Sequence, residues 1–368
     1  MAYAPPTLRL PQRQSLENQA ASVLQDEILR GTWRDLLPGE RVLCEMLQIS
    51  RHTLRGALGQ LRREGLVSAE QGVGHRIIAP TRPSAGRRLA TQDVGLLIPG
   101  ELADLVPNQI LWIDQLRAML GERGCRLHMF HGRKYAQRDP GRALQRLLTQ
   151  HAHKCWILLL SAEPVQKWFE KQKVPCVVAG TIYAGVELPY CDLDHRASCR
   201  HAAGILLGRG HRRVALVIQK SRRAGDVESE AGFTEGIRRS SYEDTEVMIA
   251  YHDATAGGIL GTVRRLMQRK PAPTALLVTN VFHYLTVVSG LAQLGYRVPE
   301  DVSVISRDGE SFYSYLIPAP THYRADPRHF AKALMTPLLQ LLEDGVIGKR
   351  AVHIMPEFQA GQSITGLG

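Results

Sequence analysis

Arg51, His52 and Arg55 follow Ser50 closely and stand off the stripe formed by Leu54, Ala57, Leu58 and Leu61. That stripe has the i, i+3, i+4, i+7 spacing of one helix face, so the spacing predicts a helix from Arg51 to about Glu64 with a buried ridge and a polar back. Ser50 is a suitable cap, and a capped helix start favours an anion such as a phosphate. A guanidinium offers a planar fork that matches guanine or phosphate acceptors, and one good arginine–guanine pair discriminates bases by roughly 1–3 kcal/mol. The chemistry implied is the reading of a major groove of double-stranded DNA. In isolation such arginines are most often solvated surface, so the surrounding elements must decide.

Other constellations point elsewhere. His151, His153 and Cys155 alternate, as do Asp192 and Asp194 before His195, and alternating ligands on one strand face can hold a metal. The first trio runs into the apolar stretch Trp156–Leu160, which suits a loop end followed by a buried thiol. His128 and His131 read the same way, and Asp194 reads as the cap of a following helix. No Gly-x-Ser-x-Gly elbow, Walker loop, GxGxxG after a strand or HExxH occurs, and Gly257–Gly261 reads as a helix-entry loop. The expectation is a protein that is not an enzyme and needs no cofactor and no metal.

The elements that would position the arginines read as helix, helix, helix, hairpin. Ser15 can cap a first helix whose Leu16, Ala20, Val23, Leu24 and Ile28 share a face, and Gly31 ends it. A short second helix follows Pro38-Gly39 with Leu43, Met46 and Leu47 inward. After the third helix, Leu66-Val67 and Arg76–Ile78 form short strands around Gln71–Gly74. Residues 80–92 carry Pro, Gly and Arg without apolar periodicity, as a linker does. From Asp93 onward apolar runs alternate with amphipathic stretches. The runs are 94–98, 126–130, 155–160, 176–179, 214–218, 275–278 and 302–305, and the stretches include 109–123, 199–209 and 285–294. This predicts an α/β body of parallel sheets flanked by helices, and its length suits two lobes. The domains expected are a winged helix-turn-helix over 1–79, a linker over 80–92 and an effector-binding and dimerisation domain over 93–368.

The formal net charge is +11, and residues 1–90 contain 13 Arg against 8 Asp or Glu and no Lys. An all-arginine basic segment suits nucleic acid. The six cysteines show no CxxC pair and sit largely in apolar stretches, as reduced buried thiols do. Neither a secretory leader nor a membrane-length apolar run is visible, so a soluble cytoplasmic protein with no membrane partner is expected.

Four blocks in register resemble the winged helix of the GntR (gluconate-repressor) family. They are Leu37-Pro38-Gly39-Glu40-Arg41, Ser50-Arg51-His52-Thr53-Leu54-Arg55, Leu61-Arg62-Arg63-Glu64-Gly65-Leu66-Val67 and Gly72-Val73-Gly74. The resemblance implies DNA contacts from Arg41 on the second helix and from Ser50, Arg51, His52, Thr53 and Arg55. It also places Gly72, Gly74 and His75 at a wing tip near the minor groove.

The stretch from Asp93 to about Thr365 resembles the effector domain of LacI/GalR regulators, itself similar to periplasmic sugar-binding proteins. The carrying residues are Asp194–Ala203 with Leu207–Val214, Ala231-Gly232-Phe233, Pro273–Ala275 with Val278–Asn280, and above all Gly295–Ile305. The resemblance implies a cleft between two lobes that holds a small polar effector, a sugar or sugar derivative. Asn280 and Asp308 match polar ligand positions. Two positions depart from the pattern: Ser229 stands where an arginine is usual, and Val281 where an aspartate is usual. Arg307, Phe282, His283 and Tyr284 are candidates to re-line the cleft.

Together these readings predict a homodimeric transcription regulator, by default a repressor, that places two winged helices on a roughly palindromic operator. A solute-binding protein with a non-specific nucleic-acid anchor, or a DNA-binding dimer that has lost its ligand, are the alternatives.

Overall fold

The structure is a computed structural model of the 368-residue chain and describes residues 16–30, 32–33, 35–63, 66–70, 74–78, 93–221, 223–242, 244–343 and 351–367. Cα proximity separates Met1–Leu89 from Ala90–Gly368 as two compact units. The expected linker, the Ser15 cap, the stop signals Gly31 and Gly65, and the wing-tip Gly72 lie outside the described residues.

In the first unit, α1 (Leu16–Arg30), α2 (Glu40–Leu47) and α3 (Arg51–Arg63) precede β1 (Val67–Glu70) and β2 (Gly74–Ile77). The strands pair antiparallel with Val67 opposite Ile77 and Ala69 opposite His75. A bridge from Leu36 to Arg76 adds the α1–α2 connection to the same small sheet. Ala20, Ala21, Leu24 and Ile28 of α1 meet Leu54, Ala57, Leu58 and Leu61 of α3, with Leu43, Val67 and Ile77 closing the core. The ridge predicted for α3 is therefore the buried one. Leu16, Val23 and Met46 were expected inward but are 55%, 46% and 60% exposed. So small a core covers only a narrow stripe of each helix, and residues flanking that stripe stay in water. Gly74 holds φ at +114° on entry to β2, a conformation other residues rarely adopt.

The second unit contains two six-stranded sheets. The first runs β13-β7-β6-β5-β3-β4, built from β3 (Val94–Ile98), β4 (Leu127–His131), β5 (Cys155–Leu159), β6 (Cys176–Ala179), β7 (Tyr190–Leu193) and β13 (Ala351–Ile354). The second runs β14-β12-β11-β10-β8-β9, from β8 (Arg213–Gln219), β9 (Glu246–His252), β10 (Ala275–Val278), β11 (Ser303–Ser306), β12 (Thr321–Arg324) and β14 (Glu357–Gln359). All neighbours are parallel except β12 and β14. Strands β3, β5, β6, β10 and β11 are buried along their whole length, as sheets covered on both faces require.

The helices are α4 (Pro107–Gly121), α5 (Gly141–Gln150), α6 (Glu163–Lys171), α7 (His195–Gly208), α8 (Ala224–Arg238), α9 (Ala256–Met267), α10 (Val281–Gln293) and α11 (Pro327–Glu343). The chain passes between lobes three times, from β7 into α7, from β12 into α11 and from β13 into β14. Helix α11 returns to the first lobe, where Phe330, Leu334 and Leu338 join Trp112 and Leu116 of α4. Helices α7 and α8 touch at Gly232, where a Cβ would lie 2.1 Å from the Arg196 carbonyl oxygen. Gly257–Gly261, expected as a loop, falls inside α9, whose start Thr255 caps by accepting Gly258 N–H at 3.0 Å. Among the described residues no helix is long and apolar enough to cross a membrane.

Candidate nucleic-acid interface and effector cleft

Ser50 Oγ accepts the Thr53 amide at 3.1 Å and lies 2.9 Å from Thr53 Oγ1, so the start of α3 is capped and its first turn is fixed. With Leu54 buried beneath them, Arg51, His52 and Arg55 project outward, and all three are exposed. The His52 side chain is 94% exposed, with Nδ1 3.7 Å from Glu17 Oε1. Arg55 donates its Nε to Glu40 Oε2 at 3.1 Å and Oε1 at 3.3 Å. That contact is made through Nε, and the Arg55 side chain remains 69% exposed. Arg41, on the exposed side of α2, pairs with Glu45 at 3.5 Å. His75 Nε2 lies 3.9 Å from Glu40 Oε1, while its Nδ1 is buried without a hydrogen-bond partner.

Glu40 thus joins the second helix, the third helix and β2 through one carboxylate. Sequence reasoning carried Glu40 only as part of a block, although its place fifteen residues before Arg55 on the neighbouring helix was the available signal. Of the nine residues expected at this interface, Arg41, Ser50, Arg51, His52, Thr53, Arg55, Gly74 and His75 lie in one unit and share this framework. Gly72 lies outside the described residues.

In the second unit the strand ends carry the polar groups. Asn280 Oδ1 accepts the amides of Phe282 and His283 at 2.8 and 3.2 Å, so this side-chain oxygen is engaged as the cap of α10. Phe282 is 46% exposed and stacks on Phe312 with ring centres 6.4 Å apart. Arg307 is buried, and its fork is spent locally. Nε and Nη2 reach Asp308 Oδ1 and Oδ2 at 3.0 and 2.7 Å, and Nη1 donates to Ser229 Oγ at 2.8 Å. Asp226 Oδ1 lies 3.8 Å from Nη1. Burial works against the Arg307 charge, but Asp308 and Asp226 outweigh it and hold the guanidinium protonated.

Ser229, where the resemblance would place an arginine, is therefore in contact with a guanidinium delivered from the end of β11. The sequence showed the departure at Ser229 but not this contact, because the two positions are 78 residues apart.

Around this pair lie residues that sequence reasoning did not assign to the cleft. Ser221 donates to Asp226, and Thr181 to Asp192. His195 Nε2 is 3.7 Å from Asp192, and burial, then Arg307, lowers its pKa. His252 accepts the Ala254 amide at Nδ1 (3.0 Å), which fixes the proton on Nε2, a buried donor with no acceptor. Its ring stands perpendicular to His283 at 4.6 Å. Burial, followed by His283, pushes the His252 pKa down to about 4. A cavity of about 20 Å³, room for one water, lies against Asp192, Asp194, His195 and Glu228. Asp194 Oδ1 accepts Ala197 N–H at 2.8 Å and so caps α7.

The remaining histidines of interest cluster on β4 and at the end of α5. His128 is 3.2 Å from Asp93 and stacks on His153 at 5.0 Å, while Cys155 is buried. Among the described residues no group of three or more His, Cys, Asp or Glu side chains is arranged to hold a metal ion.

Residues 16–77 match the model of the gntR family of bacterial regulatory proteins, and residues 203–364 that of the periplasmic binding protein-like domain. Among curated proteins, the HTH-type transcriptional regulator CelR of Thermobifida fusca is 28% identical over 207 residues, covering 55% of this chain and 60% of its own length. A PurR repressor of Aliivibrio salmonicida is 26% identical over 159 residues, 43% of this chain and 48% of its own. The chain therefore spans less than two thirds of either protein. The arabinose metabolism transcriptional repressor of Geobacillus stearothermophilus is 23% identical over 323 residues, covering 85% of this chain and 86% of its own. In fold, a CelR–cellobiose complex superposes with a TM-score of 0.65 at 20% identity, over 95% of this chain and all of that one. A LacI-family regulator of Enterococcus faecium with bound ribose gives 0.62 at 17% identity, over 75% of this chain and all of that one.

Proposed function

Because residues 16–77 match the model of the gntR family of bacterial regulatory proteins and residues 203–364 that of the periplasmic binding protein-like domain, we propose that this chain is an effector-controlled, sequence-specific transcription regulator. The observation that carries this reading is the exposed arginine edge of α3, with Leu54, Leu58 and Leu61 buried behind it. The domains are a winged helix over 1–79, a linker over 80–92 and an effector domain over 93–368. Arg51 and Arg55 read base edges, His52 and Thr53 contact the backbone, and Arg41, Gly72, Gly74 and His75 supply flanking contacts. The protein acts in the cytoplasm as a repressor without catalytic activity.

The effector is a sugar or sugar derivative, and Asp308, Arg307, Asn280 and Phe282 line its site. A fold neighbour, a CelR regulator in complex with cellobiose, supports that class. Ligand entry competes for the Arg307–Asp308 pair and shifts the lobes, with a coupling on the order of 1–3 kcal/mol. The same pair favours a second reading, a regulator that no longer needs a ligand, since Arg307 and Asp308 already hold each other in a bidentate pair.

The acting species is a homodimer. Tyr315 and Ile317 are 86% and 97% exposed, beside a groove of about 470 Å³ bordered by Val288, Ala292 and Pro318. Apolar side chains so exposed suit a partner surface.

The test is selection of a binding site from randomised duplex DNA, followed by titration against random competitor at fixed salt. Arg51→Ala and Arg55→Ala should each remove the preference for the selected site while fold and dimer persist. Wild-type preference in either variant would overturn the assignment. A thermal-shift screen of neutral and acidic sugars then separates the effector-controlled reading from the ligand-independent one.

A further inference from the structure

We propose that Glu310 is a positioning residue that carries a change at the cleft into the first lobe through the start of α4, a step that rests on the effector reading above. Glu310 follows Asp308 by two residues and is 9% exposed. Its oxygens Oε1 and Oε2 accept the Asn108 amide at 3.1 and 3.2 Å, across 202 positions of sequence. Asn108 is the second residue of α4, so its N–H is one of the donors a helix start leaves unpaired, and a carboxylate there also meets the positive end of the helix dipole.

Two further contacts hold the same point. Asn108 Nδ2 donates to Ala325 O at 2.8 Å, where the chain leaves β12 for the first lobe. Val106, just before α4, packs on the apolar cluster of the second lobe that includes Tyr284 and Tyr313. Helix α4 belongs to the first lobe by its core contacts, yet its first turn is fastened to the second.

The loop that carries Glu310 is braced as a unit. Ser306 Oγ donates to Asp308 O at 2.6 Å and lies 2.8 Å from Tyr313 OH, and the Tyr313 amide returns to Glu310 O at 3.0 Å. A group that displaces Asp308 from Arg307 therefore displaces Glu310 with it, and Glu310 draws on α4. The first turns of α4 expose Ile110 and Leu111, at 54% and 51%, so the movement reaches an apolar outer face of the first lobe. Packed elements with two arrangements carry coupling in this way, whereas exposed loops dissipate it.

Hydrogen exchange on the full chain without ligand tests the step, with Asp308→Asn as the perturbation of the cleft. Glu310→Ala should speed exchange across 105–112 by about tenfold or more, because it removes a charged acceptor, while Glu310→Gln keeps one oxygen and stays within about threefold of wild type. Asp308→Asn should also speed 105–112 in the parent chain, and should add nothing in the Glu310→Ala background. Unchanged exchange over 105–112 in Glu310→Ala would overturn the proposal. So would an Asp308→Asn variant that loosens 303–315 but leaves 105–112 as in wild type, or one whose effect is undiminished without Glu310. If Glu310→Ala does not fold, Asp308→Asn measured in the parent and Glu310→Gln chains decides alone. Absence of any sugar binding would remove the effector reading and leave this coupling measurable.

Discussion

Helix α3 of the first unit and the strand-end site of the second use arginine in opposite ways. On α3 the guanidinium groups are exposed, and the strongest contact, Arg55 with Glu40, touches only the Nε edge. In the cleft Arg307 is buried and its donors are spent on Asp308 and Ser229. A charge left in water costs little and stays available to a polyanion, whereas a buried one must be compensated inside the fold. The first arrangement suits a ligand that brings its own negative charge. The second suits one that must offer hydrogen bonds good enough to compete with an internal pair.

The largest effect should come from breaking the buried pair. Arg307→Leu leaves Asp308 and Asp226 without their cation and should cost about 3–5 kcal/mol, the usual loss when one partner of a buried pair is removed. The melting temperature of the second unit should then fall by roughly 5–10 °C in a calorimetric scan, while the exposed arginines of α3 are left unchanged. A melting temperature within a degree of wild type would mean that Arg307 is solvated and the contrast between the units is false.

Acid should reach the second unit next. His252 and His153 are held down to about 4, the former by burial and then His283, the latter by burial and then His128 and His151. An unfolded chain restores imidazole to about 6.5, so between those values the unfolded state binds more protons. Stability is therefore essentially complete above about pH 6.5 and declines as pH falls toward 4, by on the order of 2 kcal/mol for each of the two histidines at pH 5. Melts at pH 7.5 and pH 5 check the sign, and His252→Phe should flatten its share of the slope.

A smaller change should follow Glu40→Ala. Loss of the carboxylate frees Arg55 and removes a negative charge from the first unit, so on the proposed function specific DNA binding should weaken by about 1 kcal/mol while random-sequence binding strengthens. Anisotropy titrations on both DNAs measure the ratio, and an unchanged ratio would show that Glu40 positions nothing.

Much of this was legible in the chain because local rules decided it. The ridge Leu54, Leu58, Leu61 follows from helical spacing, and the caps Ser50 and Asp194 from a capping residue placed before a helical pattern, whereas Asn280, expected as a ligand position, has its Oδ1 engaged in capping α10. The central strands were legible because burial on both faces makes them continuous apolar runs. Edge position alone did not decide the rest: β4 lies at an edge and was still legible as the run 126–130, whereas β7, β9, β12 and β13, which mix buried with partly buried or exposed positions, and the three-residue β14 were not. Arg307 and Asp308 were visible as polar residues at a strand end, but their mutual pairing, the contact with Ser229 and the Glu310–Asn108 bridge depend on long-range packing that no spacing encodes.

The most direct measurement is a cycle between Arg55 and its base. In the selected operator, each G·C pair is replaced in turn and binding is compared for wild type and Arg55→Ala at one salt concentration. One replacement should weaken wild type by roughly 1–3 kcal/mol and leave Arg55→Ala nearly unaffected. If every replacement costs both proteins the same, Arg55 reads no base, and the arginine edge of α3 is only surface.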